Sequence, residues 1–141
     1  MDYVKLGRSG LRVSRLCLGT AFRGYWNGHT DAETAMQTIY KAVEGGINFI
    51  DCANYYFQGR CEDLLGKAIK EMGNRDDLVL TTKVWSQIGE GPNDRGLSRF
   101  HIMREIERSL KRLQVEYIDV YLLHNFDADT PLDETLRAFD D

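Results

Sequence analysis

The chain has 141 residues, 43% of them hydrophobic, with 7 Tyr, 6 Phe and 2 Trp, which is enough apolar material for one packed domain and argues against a disordered chain. Its net charge of −4 comes from acidic and basic residues mixed along the sequence, with no Lys/Arg-rich block, so nucleic acid is not an expected partner. No apolar run approaches the ~20 residues of a membrane helix, "MDYVKLGRSG" has no apolar leader region, and Cys17, Cys52 and Cys61 form an odd set without a disulfide pattern, so a reducing cytoplasm is the expected compartment.

In chain order, "YVKLGRSGLRVSRL" alternates apolar and polar residues around Gly7-Arg8-Ser9-Gly10, which predicts a β-hairpin. "RLCLGT" follows as a short buried strand ending at Gly19-Thr20. From Thr30 the period changes to that of a helix, with Ala35, Met36, Ile39, Ala42 and Val43 on one face. Thr30 and Glu33 form a capping box, and Gly45-Gly46 is the stop. "INFID" is a second strand, followed by a helix on Leu64, Leu65, Ala68, Ile69 and Met72 that stops at Gly73. "LVLTTK" is a third strand, followed by a helix from near Ser98 carrying Ile102, Ile106, Leu110 and Leu113. "YIDVYLLH" is the fourth strand. A fourth helix opens at "TPLDETLRAF", with Thr130 as cap, Pro131 in the first turn and Asp133 completing the box.

Strand starts at Leu16, Ile47 and Leu78 are 31 residues apart, the length of one βαβ unit. The fold class is therefore α/β, with a hairpin followed by four βα units and a parallel sheet covered by helices. Doubly wound sheets and (β/α)₈ barrels both read this way. The G-x-G-x-x-G turn of the first is absent; "TAFRGYWNG" is too long and too aromatic to be it.

In a barrel the chemistry sits where strands end. Here the ends carry Gly19-Thr20, Asp51 with Tyr55 and Tyr56, Lys83, and His124. Each has an ordinary structural explanation: Asp51 as a cap, Tyr56 as a packed aromatic, Lys83 as a solvated strand end, His124 as a hydrogen-bonded histidine. Together, four titratable groups on consecutive strand ends point to a site. A free phenol titrates near ~10 and is a poor proton donor at neutral pH; a neighbouring cation favours phenolate. Lys83 can supply that cation, Asp51 can hold Lys83, and His124 can orient a substrate oxygen. The set suits proton transfer to a carbonyl oxygen while carbon is reduced.

"DCANYY" resembles the D-T-A-x-x-Y motif of the aldo-keto reductases, "TTK" that family's lysine motif, and "YIDVYLLHNFD" its histidine motif. "LGRSGLRVSRLCLGT" is similar to the N-terminal signature of the bacterial and potassium-channel-β-subunit-like branch. The resemblance implies the first half of a (β/α)₈ barrel closed below by the hairpin, NADPH as cofactor and an aldehyde or ketone as substrate. It implies Tyr56 as general acid, Lys83 as its partner, Asp51 as anchor and cofactor neighbour, and His124 as substrate orienter. Gly19 and Thr20 correspond to the family's first-loop cofactor contact. Tyr25, Trp26, Tyr55, Trp85 and Asn125 are candidates for the substrate pocket, with the long loop "VWSQIGEGPNDRG" shaping its mouth and Trp85 facing inward.

Three positions depart from the family pattern: Cys52 for Thr, Phe57 for the Gly after the tyrosine, and Cys61 for Ser. Phe57 is expected to narrow the pocket mouth. A cysteine nucleophile at 52 or 61 would lack a base beside it, and His29, His101, His124 and the cysteines show no zinc spacing. A barrel takes ~250 residues, so the sequence reads as a fragment of a longer reductase, a truncated homologue, or a half-barrel completed by association. The first reading is favoured because Asp141 falls in a helix just begun. Open sheet edges would then promote self-association. A Schiff-base lyase using Lys83 and a non-enzymatic regulatory module are the alternative functions.

Overall fold

The structure, a computed structural model, describes residues 1–141. The opening hairpin pairs β1 (Tyr3–Lys5) with β2 (Arg12–Ser14) in antiparallel register, Val4 opposite Val13. It is tied to the rest by Asn48, whose side chain accepts from the Ser14 N–H at 2.7 Å.

Four strands then alternate with helices: β3 (Cys17–Gly19), β4 (Phe49–Asp51), β5 (Val79–Val84) and β6 (Val120–Leu123), all parallel and in sequence order. Between and after them run α1 (Arg23–Trp26), α2 (Ala32–Glu44), α3 (Arg60–Met72), α4 (Arg99–Leu113) and α5 (Leu132–Asp140). The four longer helices pack in chain order, α2 on α3, α3 on α4 and α4 on α5. The main core lies between them and the inner strands: Ile39, Ile50, Leu65, Leu80 and Leu113 are wholly out of water. Gly66 lets α3 and α4 touch, since a Cβ there would lie 2.5 Å from the Arg112 carbonyl oxygen.

Helix ends follow the predicted stops, with Gly73 left-handed at the C-cap of α3 and the Ser98 hydroxyl accepting from His101 N–H at the start of α4. Two caps differ. The N-cap of α2 is Asp31, whose carboxylate takes the Thr34 N–H at 2.7 Å; Thr30 instead packs its side chain against Gly24. At α5 the Thr130 side chain is turned toward Asp127, to which its hydroxyl donates at 2.8 Å; Pro131 occupies the cap position without a side-chain bond, and no Thr130–Asp133 box forms. The short α1 and two 3₁₀ turns, Tyr56–Gly59 and Arg75–Asp77, lie in segments read as loops.

Inner and outer strands differ in burial. β5 is buried at five of six positions, whereas β3 and β6 are the outermost strands of the sheet, and Leu122 and Leu123 remain 39% and 40% exposed. No helix is long and apolar enough to cross a membrane.

Candidate active site

All four strands end on one rim, because the register aligns Gly19 with Asp51, Asp51 with Thr81, and Lys83 with Leu122. The ladder continues past the strands proper. Cys52 N–H donates to Thr81 O at 2.9 Å, Asn54 N–H to Lys83 O at 3.2 Å, and His124 N–H to Val84 O at 2.9 Å. These bonds carry "DCANY" across the top of β5 and set Tyr56 over Lys83. The 3₁₀ turn that follows holds Phe57 and Gln58 at φ 50° and 53°, left-handed values that cost a non-glycine residue about 1–2 kcal/mol each. Phe57 is held there by an edge-on Tyr25 ring at 5.1 Å and by the Arg60 guanidinium 4.7 Å above its face.

The Lys83 ammonium is the centre of the rim. It donates to Asp51 Oδ2 at 2.7 Å, to the Cys52 carbonyl at 2.7 Å and to the Tyr56 hydroxyl at 3.0 Å. Three acceptors satisfy its three protons. Burial works to lower its pKa, but the hydrogen bonds and charges of Asp51 and Tyr56 outweigh burial and hold it above the ordinary lysine value. Lys83 therefore stays charged wherever the protein is folded at neutral pH. His124 meets the Tyr56 ring edge-on at 5.7 Å. Its pKa is lowered by burial first and then by the Lys83 cation, so its imidazole is neutral at pH 7, and its Nδ1 is buried without a partner.

A cavity of about 480 Å³ opens over these groups, lined by Tyr56 and His124 together with Arg23, Trp26, Tyr55 and Trp85. Ser86 and Asn125 complete its wall, and a further cleft of about 720 Å³ adjoins it through Tyr55, Trp85 and Ser86. Of the residues expected to line a pocket, Trp26, Tyr55, Trp85 and Asn125 do so. Tyr25 does not; its ring is spent on Phe57, and Phe57 itself packs away from the mouth it was expected to narrow. Gly19 borders open space, since a Cβ there would meet nothing within 4 Å. Thr20 is wholly buried, and its hydroxyl donates to the Asp51 carbonyl at 3.0 Å, so its side chain fastens β3 to β4 rather than facing the rim.

The loop after Lys83 is anchored rather than free. Gly96 N–H donates to Trp85 O at 2.7 Å, Leu97 N–H to Asp127 at 2.7 Å, and Arg104 to Asn93 O at 2.7 Å. Cys52 is buried with its thiol pushed up, and burial raises Cys61 to about 11, so neither offers a thiolate. A cavity of about 640 Å³ near the turns that precede β5 and β6 contains none of these groups. Sequence reasoning missed Arg23, in the one-turn helix α1, and did not single out Ser86 within the loop after Lys83; neither segment has a periodic signal. It also missed two buried carboxylates, Glu62 and Glu105, whose signal was a charge on the apolar face of a helix.

A hairpin, four parallel strands in chain order, helices outside and polar groups gathered at the strand ends define the first part of a (β/α)₈ barrel. Comparison with known proteins agrees: the model of the aldo/keto reductase family matches residues 15–141, and the chain belongs to that family. It is 46% identical over 149 aligned residues to the uncharacterized oxidoreductase YrpG of Bacillus subtilis, covering 99% of this chain and 45% of that protein. It is 45% identical over 140 residues to a probable voltage-gated potassium channel subunit beta of rice, Oryza sativa subsp. japonica, covering 98% of this chain and 42% of that one. Among solved structures, the aldo-keto reductase AKR11C1 of Bacillus halodurans in its holo form superposes with a TM-score of 0.86 at 39% identity, covering 99% of this chain and 45% of that chain. The chain thus spans less than half the length of the curated relatives it matches.

Proposed function

We propose that the protein carrying this chain is an NADPH-dependent carbonyl reductase in which Tyr56 is the proton donor. The observation that carries the reading is the Lys83 ammonium held between Asp51 Oδ2 at 2.7 Å and the Tyr56 hydroxyl at 3.0 Å. A charged donor fixed against the phenol oxygen stabilises the phenolate left when Tyr56 gives its proton to a substrate oxygen. Asp51 keeps Lys83 aimed, and neutral His124 can orient the carbonyl without competing as an acid. Trp26, Tyr55 and Trp85 offer apolar faces to the rest of an aldehyde or ketone.

None of these side chains can donate a hydride, so a carbonyl reduction at this rim calls for a bound hydride donor such as a nicotinamide. That cofactor, when bound, supplies the hydride that a carbonyl reduction requires. Open space beside Gly19, next to Asp51 on the rim, suits a planar ring at the strand ends. A Schiff-base lyase on Lys83 is disfavoured because such chemistry needs a lysine lowered in pKa, and Lys83 is raised. The rice relative's name supports a second reading, a barrel serving as a subunit of a channel; the intact Lys83–Tyr56 contact favours turnover.

The test uses two proteins. The chain extended through four more βα units is expected to reduce simple aldehydes with NADPH. The 141-residue chain alone is expected to self-associate through its outer strands and bind NADPH weakly or not at all, as light scattering and fluorescence titration will read. An extended barrel that binds NADPH but turns over no carbonyl overturns the reading in favour of a binding module.

A further inference from the structure

Glu62 and Glu105 lie wholly out of water on α3 and α4, and the chemistry above uses neither. Glu62 accepts the Thr82 hydroxyl at 2.6 Å and Arg112 Nε at 2.6 Å. Glu105 accepts Asn54 Nδ2 at 3.1 Å and Arg108 Nη1 at 2.9 Å. Arg112 Nη2 stands 3.9 Å from Glu105 Oε2 and joins the two carboxylates into one cluster.

What the cluster holds is informative. Thr82 immediately precedes Lys83 on β5, and Asn54 stands two residues before Tyr56, its own N–H donating to the Lys83 carbonyl at 3.2 Å. The Arg112 stem closes on Gly59, at the end of the turn after Tyr56, so tightly that a Cβ there would lie 2.7 Å from Arg112 Cδ. Both members of the 3.0 Å Tyr56–Lys83 contact are thus tethered from the helix layer. Buried ion clusters return little net stability over well-packed apolar residues. What they supply is direction, because a hydrogen bond to a carboxylate fixes distance and angle where apolar contact does not. The loop needs such fixing, since Phe57 and Gln58 hold it in left-handed backbone that persists only when its surroundings over-determine it.

We propose that Glu62, Glu105 and Arg112 are positioning residues that set the Tyr56–Lys83 contact from the helix layer, Glu105 through Asn54 and Glu62 through Thr82; the functional half of this proposal rests on the acid–base reading of Tyr56. Asn54→Ala cuts one tether and leaves Glu105 paired with Arg108. In the extended barrel, amide hydrogen exchange at residues 55–59 is expected to be about tenfold or more faster in Asn54→Ala than in wild type, the scale of a lost hydrogen bond to a charged group, with Ile50 and Leu80 unchanged. Equal exchange at 55–59 overturns the proposal.

In the extended barrel the same variant is expected to lower kcat about tenfold or more while the carbonyl KM stays within about twofold. A risen KM with unchanged kcat overturns it as well. A wild-type barrel without turnover defeats the acid–base reading, and exchange alone then upholds or overturns the tether. Should Asn54→Ala lose its near-ultraviolet circular dichroism, Thr82→Val, which keeps shape and cuts the Glu62 tether, carries the same two readouts.

Discussion

The two inner strands and the two outer strands of the sheet are built to different standards. β4 and β5 are closed on both edges, sealed by α3 and α4, and end in Asp51 and Lys83, whose charged groups are paired. β3 and β6 each have one open edge; β6 exposes Leu122 and Leu123, β3 ends in Gly19 beside empty space, and β6 is followed by His124 with an unpaired Nδ1. The Asp51–Lys83–Tyr56 hydrogen bonds therefore lie wholly within the inner pair and the loop that follows β4. The outer pair leaves one edge open on each side of the sheet, in a chain that spans less than half the length of the relatives it matches.

The largest effect should come from breaking the sealed side at its charge cluster. Glu62→Ala leaves the partly buried Arg112 without its closest partner, and urea unfolding should show a loss of about 3–5 kcal/mol. Core truncation sharpens the contrast between strands. Leu80→Ala on β5 removes a wholly buried side chain and should cost about 2–5 kcal/mol, whereas Leu123→Ala on β6 should cost under about 1 kcal/mol. Equal losses at the two positions would mean that the outer strand is as well packed as the inner one.

The smallest effect is a pH dependence. His124 has its folded pKa below the ordinary histidine value, so between the two values the unfolded chain binds more protons than the folded one. Stability should fall as pH drops below about 6.5, and His124→Gln should flatten that part of the slope. Lys83 has the opposite sign: its raised pKa gives a contribution present below the ordinary lysine value and lost only as pH climbs through the folded one.

All four strands, inner and outer, are legible in the sequence. Ile50, Leu65 and Leu80 stand in runs whose period declares strand or helix, and Asp51 and Lys83 stand at the ends of such runs, which is what places them on one rim. What was not legible depended on partners far away in sequence. Glu62 bonds a residue 50 positions on, Glu105 one 51 positions back, and local periodicity records neither. The α2 cap moved by one residue because Thr30 is used against Gly24, and Tyr25 left the pocket because left-handed Phe57 needed an aromatic neighbour; both choices were made by tertiary contact.

Tyr55 and Tyr56 provide the most direct test, since they are adjacent on one loop and both line the cavity, yet only the Tyr56 hydroxyl meets Lys83. In the extended barrel, kcat for aldehyde reduction should fall about 10²–10⁴-fold in Tyr56→Phe, the usual contribution of a general acid. NADPH affinity should be little changed, and Tyr55→Phe should lose much less. A Tyr56→Phe protein retaining more than about a tenth of wild-type kcat, below the range of general acid catalysis, would contradict the assignment of Tyr56 as the proton donor.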